Sequence, residues 1–436
     1  MRQASATSTA SGRGKIASPK RSRGQGAEWY PYYAGFSPAF VRAVLAELGM
    51  PVGATIADPW NGSGTTTACA SELKYEAIGV DINPAMALIA AGRMALKDDL
   101  RACCTTMEDL QPVAEIPRGD PLLFWFEGDA ANVIRGIEHH ISSHLTDGLL
   151  PSRSTLVSPS EGLHFTALFL TVRALMATFA GSNPTWIRRP DANESKIHAT
   201  FEHIVCMYAR NSTLLREHLA TNRESAAVRL MIGDSRSLAL DDATVDAVIT
   251  SPPYCTRLDY PIATRAELAV LGIGPTCVEH RQLRQASLGT TTVAKHTPGI
   301  LHEWGQKCAT LLEGIRSHES KASQSYYFKT HCQYFDSLNR SLRELNRVLR
   351  PGGKCVVVVQ DSRYKELHTD LPGITSEMGE HLGWKLEHRM NFPVRSTLAD
   401  SNPVSKRYRS RSDATESVLW FARGTSSKEW TTARRI

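Results

Sequence analysis

Residues 58–66 read DPWNGSGTT, and the interpretation of the rest of the chain depends on them. They follow a short apolar run at residues 54–57 and precede a helix-forming run at about residues 65–73. This order predicts the turn between a β-strand and an α-helix. Gly62 and Gly64 allow the backbone to turn tightly and to approach a ligand without a side-chain clash. The segment therefore indicates the first half of a βαβ unit.

A second apolar run, EAIGVD at residues 76–81, completes this unit and ends in Asp81. The carboxyl ends of parallel strands are where α/β folds bind nucleotides, and a carboxylate there can accept hydrogen bonds from both hydroxyls of a ribose. The turn lacks the Lys-Ser/Thr ending of a phosphate-binding P-loop and the third glycine of a dinucleotide-binding motif. The pattern favours a ribose-containing ligand, and the alternative is an ordinary strand–turn–helix corner.

Strand and helix signals continue after two interruptions. Strand-like runs begin at residues 228 and 245, an amphipathic helix leads through RPGG into KCVVVV, and ESVLWFAR predicts a late strand. Residues 100–227 and 262–330 show no such alternation. This order predicts an α/β fold, a Rossmann-like sheet with two long, mainly helical insertions, better than it predicts two separate domains.

The predicted organisation starts with a disordered basic tail at residues 1–27, which are rich in Ser, Gly, Ala and Arg. Residues 28–99 and 228–425 form the α/β domain, and residues 100–227 and 262–330 are the insertions. The tail holds six basic residues and no acid, so the rest of the chain has equal numbers of both. Overall charge therefore says little about partners, and only local patches are informative.

The composition indicates a cytoplasmic protein without a metal or a membrane partner. The nine cysteines include no CxxC pair, which favours reduced thiols over disulfides or a zinc site. No apolar segment follows the basic N-terminus as it would in a secretory signal. The longest apolar stretch, residues 163–180, is interrupted by His164 and Arg173, so we expect a buried helix there.

The segment TSPPY at residues 250–254 ends the strand that begins at residue 245. A base amino group is a poor nucleophile because its lone pair is delocalised into the ring, and acceptors around its two N–H bonds draw the nitrogen toward tetrahedral geometry. Ser251 Oγ and the Pro252 carbonyl are suitable acceptors. Paired prolines fix this backbone, and Tyr254 offers a ring face to a base outside its stack. An isolated S-P-P-Y would be an ordinary turn, but its position after a strand favours a catalytic site.

The two motifs resemble those of the amino-methylating DNA methyltransferases of restriction–modification type, which read like DPFxGSGTT and S/D/N-P-P-Y/F. Further segments are similar to that family: YYAGFSPAFVRAVL, IGVDINP, GDSRSL, SPPYCTRLDY, LNRVLRPGG and ESVLWFAR. They cover most of residues 28–98 and 228–423. Trp60 and Asn61 replace the usual Phe-Cys, and Thr256 stands where Asn is common.

The resemblance implies a class I methyltransferase fold with S-adenosylmethionine as cofactor and no metal. The residues implied in cofactor binding are Tyr33, Phe36, Asp58, Gly62, Ser63, Gly64, Thr65, Asp81, Asp234 and Ser235. The residues implied in catalysis are Ser251, Pro252, Pro253 and Tyr254. The glycine-rich turn would hold the amino-acid part of the cofactor, Asp81 its ribose, and the segment at Asp234 its adenine.

The implied substrate is double-stranded DNA with the target base flipped out of the helix. A leading Ser in the catalytic tetrapeptide goes mostly with cytosine N4 and Asp or Asn with adenine N6, so cytosine is predicted and adenine is the close alternative. An RNA or tRNA guanine-N2 methyltransferase and an inactive DNA-binding protein are further alternatives. Methylation at cytosine C5 is disfavoured because Tyr254 stands where the nucleophilic Cys would be needed. A cognate restriction endonuclease would be a further partner.

Two basic segments are candidates for DNA contact. Residues 388–411 hold six basic residues against one acid, which predicts either phosphate contacts or a solvated loop. NPTWIRRP at residues 183–190 places an aromatic beside two arginines, which predicts either a recognition loop or an ordinary turn. The insertion at residues 100–227 is the candidate target-recognition region because of its size.

Overall fold

The structure of the protein is a computed structural model, and the statements below concern the residues that it describes. They are residues 16–19, 29–31, 35–97, 110–145, 157–181, 186–191, 193–219, 226–256, 259–293, 297–394 and 414–425.

A seven-stranded sheet forms the centre of the protein. Its strands are β1 (Thr55–Asp58), β2 (Glu76–Asp81), β3 (Val228–Ile232), β4 (Val245–Thr250), β5 (Leu349–Gln360), β8 (Trp384–Pro393) and β9 (Thr415–Arg423), while β6 (Ser362–Tyr364) and β7 (Leu367–Thr369) form a separate hairpin. The order in the sheet is β3-β2-β1-β4-β5-β9-β8. Strands β1 to β5 pair in parallel, and β9 is antiparallel to both of its neighbours.

The strand order reverses beside β1. The chain runs from β1 outward to β2 and β3 and then returns to the other side of β1 as β4. Open α/β sheets bind ligands at the carboxyl ends of the strands where this reversal occurs. Strand β1 ends at Asp58 and β4 at Thr250, so the two predicted motifs begin at the same crevice. The Rossmann-like class I sheet predicted from the sequence is confirmed.

Helices cover both faces of the sheet. They are α1 (Pro38–Leu48), α2 (Thr65–Glu72), α3 (Pro84–Gly92), α4 (Gly128–Leu145), α5 (Pro159–Leu175), α6 (Phe201–Glu217), α7 (Tyr260–Ala263), α8 (Arg265–Val270), α9 (Val278–Ala286), α10 (Gln306–Ser317), α11 (Phe328–Val348) and α12 (Leu371–His381). Val356 and Val358 of β5 pack in one cluster with α1 and α2, whereas Val357 and Val359 pack with α10, α11 and α12. Burial on both faces explains why this strand is a continuous apolar run.

The described parts of the first insertion are mainly helical, with α4, α5 and α6 joined by non-helical segments. Helix α5 packs on α3 so closely that a Cβ added at Gly92 would lie 2.6 Å from the Gly162 carbonyl oxygen, and a Cβ at Gly162 would lie 2.4 Å from the Gly92 nitrogen. The segment Pro159–Phe179 is long and apolar enough to cross a membrane, but 67% of its apolar window is buried inside the protein. This agrees with the buried helix expected from the sequence. The domain boundaries stay a prediction.

Residues 16–19, which fall within the predicted tail, pack on the body of the protein. Pro19 is buried, and its carbonyl accepts a 2.8 Å hydrogen bond from the Ser37 N–H at the start of α1. Ile16 packs against the cluster that contains α1. The other residues of the predicted tail lie outside the described residues.

Candidate active site

Asp58 joins the two predicted motifs. It is the last residue of β1 and only 2% exposed, and its Oδ1 accepts a 2.6 Å hydrogen bond from the Thr250 hydroxyl at the end of β4. The same oxygen accepts a 3.1 Å bond from the Trp60 N–H. Burial raises the pKa of the Asp58 carboxyl to about 6, although these hydrogen bonds favour the charged form. The contact fixes the start of the glycine-rich turn against the residue before Ser251.

The glycine-rich turn requires glycine at Gly64. This residue has φ +77° and directly precedes α2, and a Cβ there would lie 2.9 Å from the Cβ of Ala90 in α3. A left-handed backbone and a close neighbour therefore both exclude a larger residue. Gly62 also has positive φ, and its N–H donates a 2.9 Å hydrogen bond to Asp81 Oδ2.

Ser63 and Thr65 are buried at the end of this turn. Arg93, which follows α3, donates hydrogen bonds to the Thr65 hydroxyl at 3.1 Å and to the Ser63 carbonyl at 3.4 Å. Arg93 could not be identified from the sequence, because it lies about 28 positions from its partners in a segment without a motif.

Asn61 explains one departure from the family motif. Its side chain lies over β2, where a Cβ added at Gly79 would be 2.4 Å from Asn61 Nδ2. Its Oδ1 accepts a 3.2 Å hydrogen bond from Thr67, and its N–H donates to the Val80 carbonyl at 3.0 Å. The asparagine thus docks the turn onto β2, which offers glycine at that point.

Asp81 lies at the end of β2 with a carboxylate that is partly buried. Its Oδ1 accepts a 2.9 Å hydrogen bond from the Asn83 N–H, in addition to the bond from Gly62. Burial raises the pKa of this carboxyl to about 6. Each carboxylate oxygen has a further lone pair, so Asp81 can still accept from the hydroxyls of a ribose.

Asn83 connects β2 to the second insertion. Its side-chain oxygen accepts a 3.1 Å hydrogen bond from the Ala85 N–H and caps α3, while its side-chain nitrogen donates to the Thr264 hydroxyl at 2.7 Å. Thr264 directly precedes α8. The segment that is predicted to bind the ribose is therefore tied to α8 by a buried contact.

Asp234 and Ser235 follow β3 and are already engaged within the protein. Burial opposes ionisation of Asp234, but hydrogen bonds from Arg236 outweigh it and lower the pKa of the carboxyl. These bonds are 2.9 Å from Arg236 Nε to Oδ1 and 2.6 Å from Nη2 to Oδ2. Ser235 is buried, and its hydroxyl lies 2.9 Å from that of Ser341 in α11.

Ser251 donates its hydroxyl proton to the Val358 carbonyl of β5 at 3.0 Å. Because the proton points to that carbonyl, Ser251 Oγ acts as an acceptor, and it also makes a hydrogen-bond contact with Tyr254 that acts to lower the pKa of that phenol. None of the hydrogen bonds among the described residues ends on the Pro252 carbonyl, although Pro252 itself is buried. These two oxygens are the acceptors that the sequence predicted.

Pro253 and Tyr254 are fixed by contacts that the sequence did not reveal. The Tyr334 hydroxyl of α11 donates to the Pro253 carbonyl at 2.7 Å, and the Tyr254 hydroxyl donates to Glu416 Oε1 at 2.6 Å. Glu416 is 2% exposed, and burial together with its charge raises the pKa of Tyr254. The only available signal for Glu416 was an acid at the start of the largely apolar run ESVLWFAR.

Of the two aromatic residues predicted at the methionine end of the cofactor, the structure describes one. Tyr33 lies outside the described residues. Phe36 directly precedes Ser37 at the start of α1, and its ring centroid lies 5.4 Å from that of Phe40. The structure therefore places Phe36 at the packed end of α1.

S-adenosylmethionine fits the residues that line this crevice. Asp81 offers lone pairs for ribose hydroxyls, the turn has no side chain at Gly62 or Gly64, and α2 begins there with free N–H groups. Among the described residues, no three His, Cys, Asp or Glu side chains come together as a metal site.

Comparison with known proteins places this site in a family. A profile described as DNA methylase matches residues 15–91 and 245–434, which is more than half of the chain. The Type II methyltransferase M.BsoBI of Geobacillus stearothermophilus is 24% identical over 412 residues, covering 82% of this chain and 78% of that protein. M.AvaI of a Nostoc strain is 22% identical over 404 residues, covering 84% and 80%.

Solved structures are more distant. The cytosine-N4-specific PvuII DNA methyltransferase superposes with a TM-score of 0.25 and 17% identity over 44% of this chain and 48% of that chain, which is too low to support an argument. The family match favours DNA over RNA as the substrate. On its motifs, its sheet and this match, the chain belongs to the amino-methylating DNA methyltransferase family of restriction–modification type, whose cofactor is S-adenosylmethionine.

Proposed function

We propose that the protein is a site-specific methyltransferase that methylates cytosine N4 in duplex DNA. The observation that carries this proposal is the hydrogen bond between Asp58 and Thr250, because it holds the cofactor turn beside the Ser-Pro-Pro-Tyr turn at the reversal of strand order. Ser251 in the leading position of the tetrapeptide favours cytosine over adenine.

The cofactor, when bound, supplies an electrophilic methyl group. Ser63, Thr65 and the two glycines of the turn hold its amino-acid part, and Asp58 keeps that turn in place. Asp81 accepts the ribose hydroxyls. The segment at Asp234 and Ser235 binds the adenine mainly through its backbone, since both side chains have partners within the protein. Tyr33 and Phe36 close the methionine end.

The catalytic turn activates the amino group of the flipped base. Ser251 Oγ and the Pro252 carbonyl accept hydrogen bonds from its two N–H groups, which localises the lone pair on the nitrogen. Hydrogen bonds to Pro253 and Tyr254 keep this turn rigid, and the Tyr254 ring stacks on the base, a contact worth roughly 1–3 kcal/mol. As the new C–N bond forms and the C–S bond breaks, the nitrogen releases one proton to solvent.

The base assignment is tested on DNA that has been methylated by the purified protein. The DNA is digested to nucleosides, and the methylated nucleoside is identified by mass spectrometry. We expect N4-methyldeoxycytidine. N6-methyldeoxyadenosine would overturn the base assignment alone, whereas activity on tRNA but not on duplex DNA would overturn the choice of substrate.

We further propose that residues 100–227 form the target-recognition region, with residues 262–330 as a second wall of the DNA cleft. The first insertion lies entirely outside the family match, as expected for a part that differs between enzymes of different sequence specificity. Sequencing the genomic DNA of a host that expresses the protein, with detection of modified bases, identifies the methylated site. A chimera with this insertion from a relative should methylate the relative's site instead.

A further inference from the structure

Three arginines from separate segments meet on the side of the molecule that carries the catalytic turn. We call Arg189, Arg265 and Arg284 the arginine cluster. Arg189 belongs to the NPTWIRRP segment of the first insertion, Arg265 is the first residue of α8, and Arg284 lies in α9. All three lie in the two insertions that are proposed to form the DNA cleft, but the proposed function assigns no individual role to any of them.

Each arginine is held in position. Arg284 donates to Asp259 Oδ2 from Nε at 2.8 Å and lies 2.6 Å from it through Nη2. Arg265 Nη1 donates to the Ile187 carbonyl at 3.0 Å, while its Nε is buried and has no hydrogen-bond partner among the described residues. The guanidinium of Arg189 is exposed and lies over the Phe124 ring, 5.1 Å from the ring centroid.

The cluster has more positive than negative charge. Asp259 is the carboxylate that pairs with it, and within the described part of the chain neither Arg189 nor Arg265 forms an ion pair. Burial and the charges of Arg265 and Arg284 lower the pKa of His280, which packs here, to about 4, so this histidine is neutral near pH 7. Burial and the neighbouring arginines also lower the pKa of Arg265, an unfavourable interaction that a bound anion would relieve.

The cluster adjoins the catalytic turn. Asp259 is five residues beyond Tyr254, a distance of at most about 18 Å along the chain. The segment after α9 returns to the turn, because a Cβ added at Gly289 would lie 3.5 Å from the Tyr254 carbonyl oxygen. Two residues later the Thr291 hydroxyl lies 3.4 Å from Asp259 Oδ2 and accepts from Arg284 Nη2 at 3.4 Å.

We propose that the arginine cluster binds backbone phosphates of the DNA next to the flipped base, an assignment that rests on the protein acting on DNA. Guanidinium groups suit phosphate because they present several donors in one plane with a permanent charge. Arg284 has committed its Nε–Nη2 edge to Asp259, and the Nε of Arg265 is buried, so neither side chain presents the accessible Nε–Nη2 fork that would read guanine. Phosphate contacts would fix the strand while the target base leaves its stack.

The test replaces the exposed member of the cluster. In the full-length protein, Arg189→Gln should make the slope of log binding constant against log salt shallower by about 0.9 for a duplex, the value for one lost phosphate contact. The KM for DNA should rise about tenfold, with kcat and the affinity for S-adenosylmethionine unchanged. Arg189→Lys should restore the slope, since a phosphate contact needs mainly charge.

Control variants separate this role from other causes. Arg42→Gln removes an equal charge from α1, where Arg42 pairs with Glu72 at 2.7 Å, and should leave the slope unchanged. Arg265→Gln should repeat the effect of Arg189→Gln. Wild-type slopes in both cluster variants would overturn the proposal, as would a changed site preference with an unchanged slope, which indicates base reading. The outcome does not depend on which base is methylated, so it is distinct from the test of the proposed function.

Discussion

The hydroxyl of Ser251 donates its proton to a main-chain carbonyl, that of Val358. Its oxygen is therefore left to act as an acceptor. Ser251→Ala should lower kcat by about 10²-fold, the usual magnitude for loss of one preorganised hydrogen-bond partner in a transition state. The affinity for S-adenosylmethionine should stay within about twofold of wild type by calorimetry.

Ser376→Ala is the matched control for that variant. Ser376 in α12 is also half-buried and also donates to a main-chain carbonyl, that of Pro372 at 2.9 Å. This variant should keep wild-type kcat. A large loss of cofactor affinity in Ser251→Ala would contradict a role of Ser251 toward the base.

The Asp81 carboxyl predicts a pH dependence of cofactor binding. Its pKa is raised to about 6, and the ionised form is the better acceptor for ribose hydroxyls. Affinity for S-adenosylmethionine should therefore be full above pH 7 and should fall as the pH drops through 6, by at most about tenfold per unit. Calorimetry between pH 5 and 8 measures this.

Asp81→Asn shows whether that group is responsible. The variant should bind weakly at pH 8 and should lose most of the pH dependence. If it keeps the full decrease, the titrating group is Asp58, whose pKa is also raised to about 6.

The contact between α3 and α5 is a consequence of two glycines at the crossing. Gly162→Ala would push a Cβ against the backbone of α3, and overpacking of this kind costs about 1–3 kcal/mol. Chemical denaturation should show that loss in the free energy of unfolding. Gly119→Ala, at a position with nothing within 4 Å, should be nearly neutral, and equal effects of the two substitutions would contradict the close packing.

The elements that the sequence predicted are those whose own residues carry the signal. The run KCVVVV is buried on both faces of the sheet, and the turn at Gly64 needs a left-handed backbone, so both are visible in the sequence alone. Strand β8 was not predicted, because only the first of its ten positions is buried and the other nine are half-buried or exposed. Strand β8 forms because its backbone pairs antiparallel with the edge of β9.

The candidate site shows the same division. Motif residues such as Asp58, Asp81 and Ser251 could be named from their spacing. Glu416, Tyr334 and Arg93 could not, because each contacts the site from a distant segment that has no motif of its own. The pairing of Asp58 with Thr250 depends on β1 and β4 being neighbours, which only the assembled sheet determines.

The net positive charge of the chain comes from residues 1–27, and the structure describes part of that segment. Residues 16–19 pack at the start of α1, whereas residues 1–15 carry three of the six basic residues. Removing residues 1–15 should weaken nonspecific DNA binding at low salt and leave methylation and the thermal midpoint unchanged. The loss should vanish at high salt. If methylation is abolished, these residues have a role other than electrostatic attraction.

The hydrogen bond between Asn83 and Thr264 connects the segment proposed to bind the cofactor with the segment proposed to bind DNA. Asn83 stands two residues beyond Asp81, which is proposed to bind the ribose, and Thr264 stands one before Arg265 of the arginine cluster. A shift of α8 on contact with DNA would therefore reach the proposed nucleoside pocket through this bond, and thermodynamic reciprocity would then require that each ligand change the affinity of the other by the same factor. Thr264→Val should reduce that factor toward one in paired titrations, so that the enzyme would take up its two substrates independently of each other.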